Sequence, residues 1–199
     1  AIPTKAILTD VGSVKVPIIK TWEKIHDLFI GSHPMAGTEK KGVNAGKIEL
    51  FDNSKWVITP TNRTDQIALK TLSKLFKNMG CDICFENPDI HDQAVANISH
   101  LPIYLASCLI ETAYCQNNED LLNLSRKLAA TGFADTSRVG AGNPSLGVDL
   151  AENNTINILN SIKNFKKNIS EIEKIFEERN WDVLEAKLKK GQEWRKHFC

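Results

Sequence analysis

The pattern of apolar residues changes at Asn87 and Pro88, and this change constrains the fold more than any other feature of the 199-residue chain. Before it, short apolar runs alternate with amphipathic segments, which is typical of a parallel α/β sheet. After it we find no further strand pattern, and every segment is typical of helix. We therefore predict an α/β domain over residues 1–87 and an all-helical domain over residues 88–199.

Four short apolar runs in the first half predict strands, over residues 5–11, 28–30, 55–59 and 81–85. Helices are predicted over residues 14–27 and from an N-cap at Thr64 or Asp65 to a left-handed C-cap at Gly80. The first predicted strand begins almost at residue 1. We therefore expect the chain to enter a larger sheet partway through it.

The second half is predicted to begin with a long helix over residues 89–116, interrupted by Pro102. Proline cannot donate to the carbonyl four residues earlier, here that of Ile98, so we expect a kink. On a helical wheel His91 and Ser99 share one face beside this kink. The Ser99 hydroxyl either faces a site or bonds back to a carbonyl of its own helix. A helix over residues 118–130 follows, and then a polar loop over residues 132–144.

Apolar residues spaced alternately four and three apart form a coiled-coil-like seam beyond residue 155. Its members are Ile158, Ile162, Phe165, Ile169, Ile172 and Phe176. The opposite face is rich in Lys, Asn and Glu, so the seam should bury against helices rather than lipid. We expect both the final helix, residues 181–198, and a second subunit to cover it.

The charge balance excludes one class of function. Lys and Arg total 25 against 24 Asp and Glu, so the protein has no overall field that would attract nucleic acid or an anionic membrane. No apolar run approaches the roughly 20 residues that a membrane span needs, and the first residues lack a secretory signal pattern. We expect a cytoplasmic protein.

The odd number of cysteines argues against a secreted disulfide framework, and we predict reduced thiols. The five are Cys81, Cys84, Cys108, Cys115 and Cys199. The first two form a CxxC with His91 and His100 further on, so a zinc site is an alternative. No second CxxC or HxxxH follows at finger spacing, and we therefore predict no metal site.

The segment FIGSHPMAGT, residues 29–38, delivers a histidine into a predicted turn built from Gly31, Pro34 and Gly37. This puts His33 beyond the carboxyl end of a strand, where ligands bind in open α/β sheets. The alternative is a loop histidine that only caps the turn. Arg138 in the loop over residues 132–144 also has two interpretations. It is either a solvated surface charge or a guanidinium that grips a carboxylate bidentately.

Five motifs occur in order along most of the chain. They are TDVGSVK at 9–15, GSHPMAGTE at 31–39, WVITPT at 56–61, HDQAVANISHLP at 91–102 and GFADTSRVGAGNP at 132–144. With these motifs the chain resembles the bacterial arogenate/prephenate dehydrogenase family of tyrosine biosynthesis, most closely its cyanobacterial-type arogenate dehydrogenases. The resemblance implies a Rossmann-like nucleotide-binding domain followed by a helical dimerisation domain, and hence a homodimer.

The resemblance also implies an activity, in which hydride moves from arogenate or prephenate to NADP or NAD while the ring carboxylate leaves as CO2. His33 would accept the proton or hydrogen bond of the ring hydroxyl. Ser13 would bond the same hydroxyl or orient His33, and with Pro34 would lie beside the cofactor. Arg138 would hold a substrate carboxylate, and Ser99 would supply a polar substrate contact. The implied chemistry requires no metal.

The sequence departs from the family pattern in two respects. It lacks the G-x-G-x-x-G phosphate loop and its acidic or basic selector, so we expect only the C-terminal part of a Rossmann-like domain and feeble or no turnover unless another chain or segment supplies the loop. The alternative is a catalytically incompetent helical dimer that binds substrate-like acids but no dinucleotide. Many prephenate-using relatives carry a histidine where this chain has Ile103, which favours arogenate.

Overall fold

The computed structural model describes residues 2–37 and 46–198, and four strands of this part form one sheet in the order β1-β2-β3-β4. The strands are β1 Leu8–Thr9, β2 Phe29–Pro34, β3 Lys55–Thr59 and β4 Asp82–Phe85. The prediction of an α/β part is confirmed, but the sheet is mixed, because β2 and β3 pair antiparallel while the outer pairs are parallel. The described part of the β2–β3 connection, residues 35–37 and 46–54, holds a short 3-10 turn and no crossover helix of the kind that joins parallel strands.

Every secondary-structure element described beyond β4 is a helix, as predicted. The helices of the described residues are α1 Val16–Trp22, α2 Gln66–Asn78, α3 Pro88–Val95, α4 Leu101–Tyr114, α5 Glu119–Leu128, α6 Thr131–Ser137, α7 Pro144–Asn153, α8 Thr155–Glu177 and α9 Trp181–Arg195. The polar loop predicted over residues 132–144 is wrong, because this segment forms most of α6, a 3-10 turn Arg138–Ala141 and the start of α7. Thr136 and Ser137 donate to carbonyls four residues earlier, so their hydroxyls are satisfied within a helix.

The core of the α/β part lies between the sheet and α2. Trp56 stacks on Phe76 with ring centroids 3.9 Å apart, and Ile30, Ile58 and Leu72 belong to the same core. Both predicted caps of α2 are confirmed: the Asp65 carboxylate accepts from the N–H of Ala68 at 2.7 Å, and Gly80 has a φ of +86°. Residues next to α2 in the sequence thus set where the helix begins and ends. The burial of its apolar side chains sets its orientation against the sheet.

β2 extends further than predicted and contains His33. The strand pairs His33 with Val57 of β3, so the histidine lies inside the strand and not in a turn after it. Gly31 also serves the strand. A Cβ at this position would lie 2.7 Å from Thr59 Oγ1 and 2.8 Å from Ile19 Cδ1, so glycine permits close packing of α1 and β3. Thr38, at the end of the segment 29–38, lies outside the described residues.

The helix that begins at Pro88 departs from α geometry just before Pro102. Residues Ala96–His100 form a π-helical turn, in which Leu101 donates to the carbonyl of Ala96 five residues earlier. Such a turn contains an extra residue and accommodates the missing proline N–H. It also changes which residues face inward: His91 and His100 are buried, whereas Ser99 is exposed. The predicted common face of His91 and Ser99 is therefore wrong.

The helical stretch Pro88–Tyr114 has 27 residues and, by length and composition, is the one helix of the described residues that could cross a membrane. The expectation that no apolar run approaches that length was therefore wrong. The stretch nevertheless carries three buried polar side chains, His91, Asp92 and His100. These contact β2, α1 and Asn154 through hydrogen bonds, which is the pattern of a helix packed within a domain.

The chain divides into two compact units, residues 1–158 and 159–199. In the second unit α9 folds back on α8, because Lys187 donates to Glu171 at 2.8 Å and the Trp181 ring meets Phe176 edge-on at 5.7 Å between centroids. The final helix thus contacts the predicted seam. Ile169 and Phe176 remain about half exposed, at 47% and 53%. The domain boundary at residues 87/88 stays a prediction.

Candidate active site

A completely buried lysine, Lys15, joins the loop after β1 to strand β2. Its ammonium group forms an ion pair with Asp10 and donates to the backbone carbonyl of Ser32 at 2.5 Å. Asp10 in turn accepts from the N–H groups of Gly12 at 2.8 Å and Ser32 at 2.9 Å. Burial lowers the pKa of Lys15, and the neighbouring Asp10 carboxylate opposes that shift. These bonds tie the loop that carries Ser13 to the strand that carries His33.

His33 begins a chain of hydrogen bonds that ends at the start of α1. Its Nδ1 lies 2.9 Å from Nε2 of His91, and His91 Nδ1 lies 2.7 Å from Oδ1 of Asp92. The Asp92 carboxylate also accepts from the backbone N–H groups of Lys15 at 2.7 Å and Val16 at 2.8 Å. A carboxylate from α3 therefore satisfies two of the unpaired amides at the helix N-terminus.

Burial lowers the pKa of His33 to about 3, and repulsion by the protonated forms of His91, Lys15 and His100 acts in the same direction. The Asp92 carboxylate opposes these effects without reversing them. Only 9% of His33 is exposed, so an imidazolium there would lack hydration. The side chain is consequently neutral at physiological pH, with one ring nitrogen able to accept a proton.

His100 is a second buried histidine close to the same carboxylate. Its Nδ1 lies 3.3 Å from the amide nitrogen of Asn154, which donates to the backbone carbonyl of Asp92 at 2.8 Å. Burial lowers the pKa of His100 to about 4, against the attraction of Asp92. Its Nε2 is buried without a hydrogen-bond partner among the described residues.

The sequence interpretation gave no role to Lys15 or Asp92 and considered His100 only in the alternative of a zinc site, although all three lie within quoted motifs. Charged or polar side chains inside otherwise apolar motifs are the signal that could have identified them, because such groups are buried only when they are paired.

Ser13 lies in the loop between β1 and α1 and is half-buried. It lines a cavity of about 240 Å³ with Ile18 of α1 and with Leu146 and Asp149 of α7. Among the described residues we find no hydrogen-bond partner for its hydroxyl. Pro34 ends β2, opposite Trp56 of β3. Of the predicted site residues, Ser13 therefore lies on the loop after β1, and His33 and Pro34 lie on strand β2. Lys15 joins this loop to this strand through its bond to Ser32.

The other two predicted site residues, Ser99 and Arg138, lie on the helical part and are exposed. Neither forms a hydrogen bond with His33 or Ser13. Arg138 begins a 3-10 turn and makes no ion pair with the described residues. Gly140 fixes that turn against α4, because a Cβ at this position would lie 2.6 Å from the backbone carbon of Ala106. The guanidinium of Arg138 is thus charged and unpaired among the described residues, and the turn that carries it packs closely against α4.

No group of three or more His, Cys, Asp or Glu side chains within the described ranges could hold a metal ion. Cys81, Cys84, Cys108 and Cys115 are free thiols, while Cys199 lies outside those ranges. Glu39, the last residue of the GSHPMAGTE motif, is also outside them.

The described residues offer a neutral base in His33, a hydroxyl without a hydrogen-bond partner in Ser13 and a guanidinium without an ion pair in Arg138. These groups are suited to proton transfer on an anionic substrate.

Two family models match consecutive parts of the chain. The nucleotide-binding domain of prephenate dehydrogenase matches residues 1–85, and the dimerization domain of prephenate dehydrogenase matches residues 87–190. The prephenate dehydrogenase of Bacillus subtilis (strain 168) is 30% identical over 192 residues, which cover 95% of this chain and 51% of that protein. The chain thus spans about half the length of this curated relative.

Two crystal structures resemble nearly the whole chain. Synechocystis arogenate dehydrogenase matches with a TM-score of 0.90 and 36% identity, covering 99% of this chain and 71% of that one. Prephenate dehydrogenase from A. aeolicus, in complex with hydroxyphenyl propionate and NAD+, matches with a TM-score of 0.91 and 28% identity, covering 99% of this chain and 68% of that one.

Proposed function

The chain belongs to the prephenate dehydrogenase family, and on this premise we propose that it oxidises and decarboxylates arogenate, with prephenate as the second candidate substrate. The proposed hydride acceptor is NADP or NAD. The ring loses hydride, its carboxylate leaves as CO2, and the ring becomes aromatic. The product would serve tyrosine biosynthesis.

The neutral buried imidazole of His33 is the observation that carries this proposal. One ring nitrogen, Nδ1, is engaged by His91, and the other, Nε2, bonds to no described residue. As hydride departs, Nε2 takes the proton of the ring hydroxyl. An anionic substrate beside the ring would raise the pKa of His33 from about 3, which makes proton acceptance easier than in the free protein.

Ser13 supplies a second contact to the same ring hydroxyl in this proposal. Its unpaired hydroxyl lies at a cavity with both apolar and polar walls, and such a lining fits a nicotinamide ring. A dinucleotide held there would supply the hydride acceptor. Ser13 and Pro34 are the residues of this chain that we assign to its nicotinamide end. Because α1 has its first amides occupied by Asp92, we assign no phosphate to that helix.

Arg138 holds a substrate carboxylate, and Ser99 is a further polar contact. Support for the arginine comes from its exposed guanidinium, which pairs with no carboxylate of the described residues and is free to grip one bidentately. Support for Ser99 comes from its exposed position in the π turn. Both residues lie on elements that contact α4, so one rigid helix orients the substrate relative to His33.

The preference for arogenate rests on Ile103, in the first turn of α4. An apolar side chain four residues after Ser99 offers no hydrogen bond to a keto acid side chain. A site that lacks such a partner loses discrimination in favour of prephenate. We therefore expect a higher kcat/KM for arogenate.

The experiment is a dehydrogenase assay of the purified protein with arogenate and prephenate, each with NADP and NAD, that measures reduced nicotinamide and released CO2. His33→Ala should lower kcat by roughly 10²- to 10⁴-fold with little change in KM. The matched control is His26→Ala, which removes another buried histidine whose bonds go to Pro3 and Leu28. Because this chain lacks the phosphate loop, the assay is run on the chain alone and on the chain supplied with a family segment that carries the G-x-G-x-x-G loop. Absence of turnover of both acids in both forms would reject the proposal.

A further inference from the structure

We propose that His91 and Asp92 are positioning residues that set the tautomer of His33 and leave its Nε2 unprotonated toward the substrate. The inference deepens the proposed function, because it rests on His33 as the base. Neither residue touches the reacting atoms in this proposal. Both act through the imidazole of His33.

Asp92 is buried, with only 2% of the residue exposed. Its two oxygens accept from the backbone N–H groups of Lys15 and Val16. A backbone amide can only donate, so these two bonds fix the orientation of the carboxylate and require its oxygens to be acceptors. The same Oδ1 lies 2.7 Å from Nδ1 of His91. His91 must therefore carry a proton on Nδ1.

The proton on Nδ1 determines the state of the other ring nitrogen of His91. In this proposal His91 is neutral. A neutral imidazole has one N–H and one bare nitrogen, so a proton on Nδ1 leaves Nε2 as an acceptor. That Nε2 lies 2.9 Å from Nδ1 of His33. His33 must then donate through Nδ1, and its own Nε2 is left bare. The tautomer of the base is thus dictated by a carboxylate that it never contacts.

The tautomer matters because only a bare nitrogen can take a proton from the ring hydroxyl. The opposite tautomer would present an N–H to that hydroxyl and could not act as its base. Once His33 is protonated, its Nδ1–H bond to His91 becomes charge-assisted and stronger. The pair therefore favours both the reactive form of His33 and the imidazolium that follows.

The pair is held rigidly across a large sequence separation. His33 and His91 are 58 residues apart in the chain, and their rings meet edge-on at an interplanar angle of 77°. Asn154 donates to the backbone carbonyl of Asp92 at 2.8 Å. Strand β2, helix α3 and the start of α1 are consequently locked around one orientation of His33.

The primary experiment is ¹⁵N NMR of the histidine rings in the wild-type protein, which needs neither cofactor nor substrate. We expect His33 to be protonated on Nδ1. His26 is an internal reference of the opposite tautomer, because its Nδ1 accepts from the N–H of Leu28 at 3.2 Å and must be bare. A His33 ring protonated on Nε2 would overturn the inference. Because the measurement is independent of turnover, it separates this inference from the proposed function.

Two substitutions at His91 test the kinetic consequence. In His91→Gln the amide oxygen can still accept from His33 Nδ1–H, whereas His91→Leu offers no acceptor. We expect the Leu variant to lose the single tautomer of His33 and to lower kcat roughly tenfold or more at a nearly unchanged KM. The Gln variant should recover most of that loss.

Equal, wild-type kcat in the two variants, with the His33 tautomer unchanged in the Leu variant, would reject the positioning role. Circular dichroism establishes that each variant is folded. If the Leu variant fails to fold, the inference is tested by the tautomer of His33 that ¹⁵N NMR finds in the wild-type protein.

Discussion

The ammonium group of Lys15 donates a hydrogen bond to the backbone carbonyl of Ser32, the residue immediately before His33. Lys15 also forms an ion pair with Asp10 at the other end of the loop that carries Ser13. The relative position of the proposed base and the proposed cofactor contact therefore depends on one buried charge pair.

Removal of the Lys15 charge should destabilise the protein strongly. In Lys15→Met the Asp10 carboxylate and the Ser32 carbonyl lose a buried partner, and such losses cost about 3–5 kcal/mol of unfolding free energy. Urea denaturation measures the change. Lys55→Met is the matched control, because Lys55 pairs with Asp82 on the exposed surface, and it should change stability little. Comparable losses in the two variants would contradict the importance of the buried pair.

Arg138→Ala should mainly weaken substrate binding. Loss of the guanidinium removes a bidentate contact to a carboxylate, so KM should rise by roughly tenfold or more while kcat changes little. Steady-state kinetics and calorimetric binding of a substrate-like aromatic acid both measure the effect. Arg126→Ala, which removes an arginine that lies over the Tyr114 ring, is a control. If the Arg138→Ala variant has the same KM and binding constant as the Arg126→Ala variant, the assignment of Arg138 is wrong.

Gly140→Ala should disturb the turn that carries Arg138. The new Cβ would lie 2.6 Å from backbone atoms of Ala106 and Ser107 in α4, and overpacking of this kind costs about 1–3 kcal/mol. Gly147→Ala is the control, because a Cβ at that position would meet no atom of the described residues within 4 Å and alanine suits a helix better than glycine. Thermal unfolding should separate the two. A Gly140→Ala protein as stable as wild type would show that the close approach is not required.

Acid should destabilise the protein through His33 and His100. Their pKa values are about 3 and about 4 in the folded state, against 6.5 for an unperturbed histidine. The unfolded chain therefore binds more protons in the window from pH 6.5 down to about 4. The contribution of these two neutral histidines to the free energy of unfolding is therefore fully present above pH 6.5. It falls as the pH drops through this window, by up to about 1.4 kcal/mol per pH unit for each proton.

Denaturation at several pH values measures this slope, and His33→Gln should reduce it. The groups that face His33 are His91, Lys15, His100 and Asp92, and all of them remain in that variant. An unchanged slope in His33→Gln would show that another group controls acid stability.

We expect the protein to self-associate through its helical part, as the match to a dimerization domain supports. Helix α5 buries none of its residues, and it exposes Leu121, Leu124 and Leu128 at 46%, 51% and 69%. A second copy is the occupant that we propose for this apolar stripe. Sedimentation at micromolar concentration should find a dimer, and Leu124→Glu should shift it to monomer. Wild-type monomers would reject this expectation.

Local patterns were sufficient to predict several elements. The Asp65 cap, the Gly80 left-handed residue and the strand Lys55–Thr59 all occur as predicted, because caps and apolar runs act within a few residues. The motif around His33 likewise singled out the histidine that is buried beside Lys15. Family membership also followed from motifs that are continuous in sequence.

Other features depended on contacts between distant segments. The helical conformation of residues 132–144 was not predicted, because tertiary packing overrides local turn propensity. At Pro102 the sequence predicted a kink but not the π turn that precedes it. The antiparallel β2–β3 pair extended the strand through His33. A helical wheel placed Ser99 on the same face as His91, whereas in the structure the π turn leaves Ser99 exposed and His100 buried with His91.

The sequence by itself determined the family, the order of the two structural halves and the residue types available for chemistry, since these are properties of local pattern and composition. Only the tertiary structure decided what surrounds His33. Its partner His91 lies 58 residues away, and the carboxylate of Asp92 is positioned by the amides of α1, 76 and 77 residues earlier in the chain. Buried polar groups must find partners wherever the fold brings them, so the protonation and orientation of this histidine are consequences of packing.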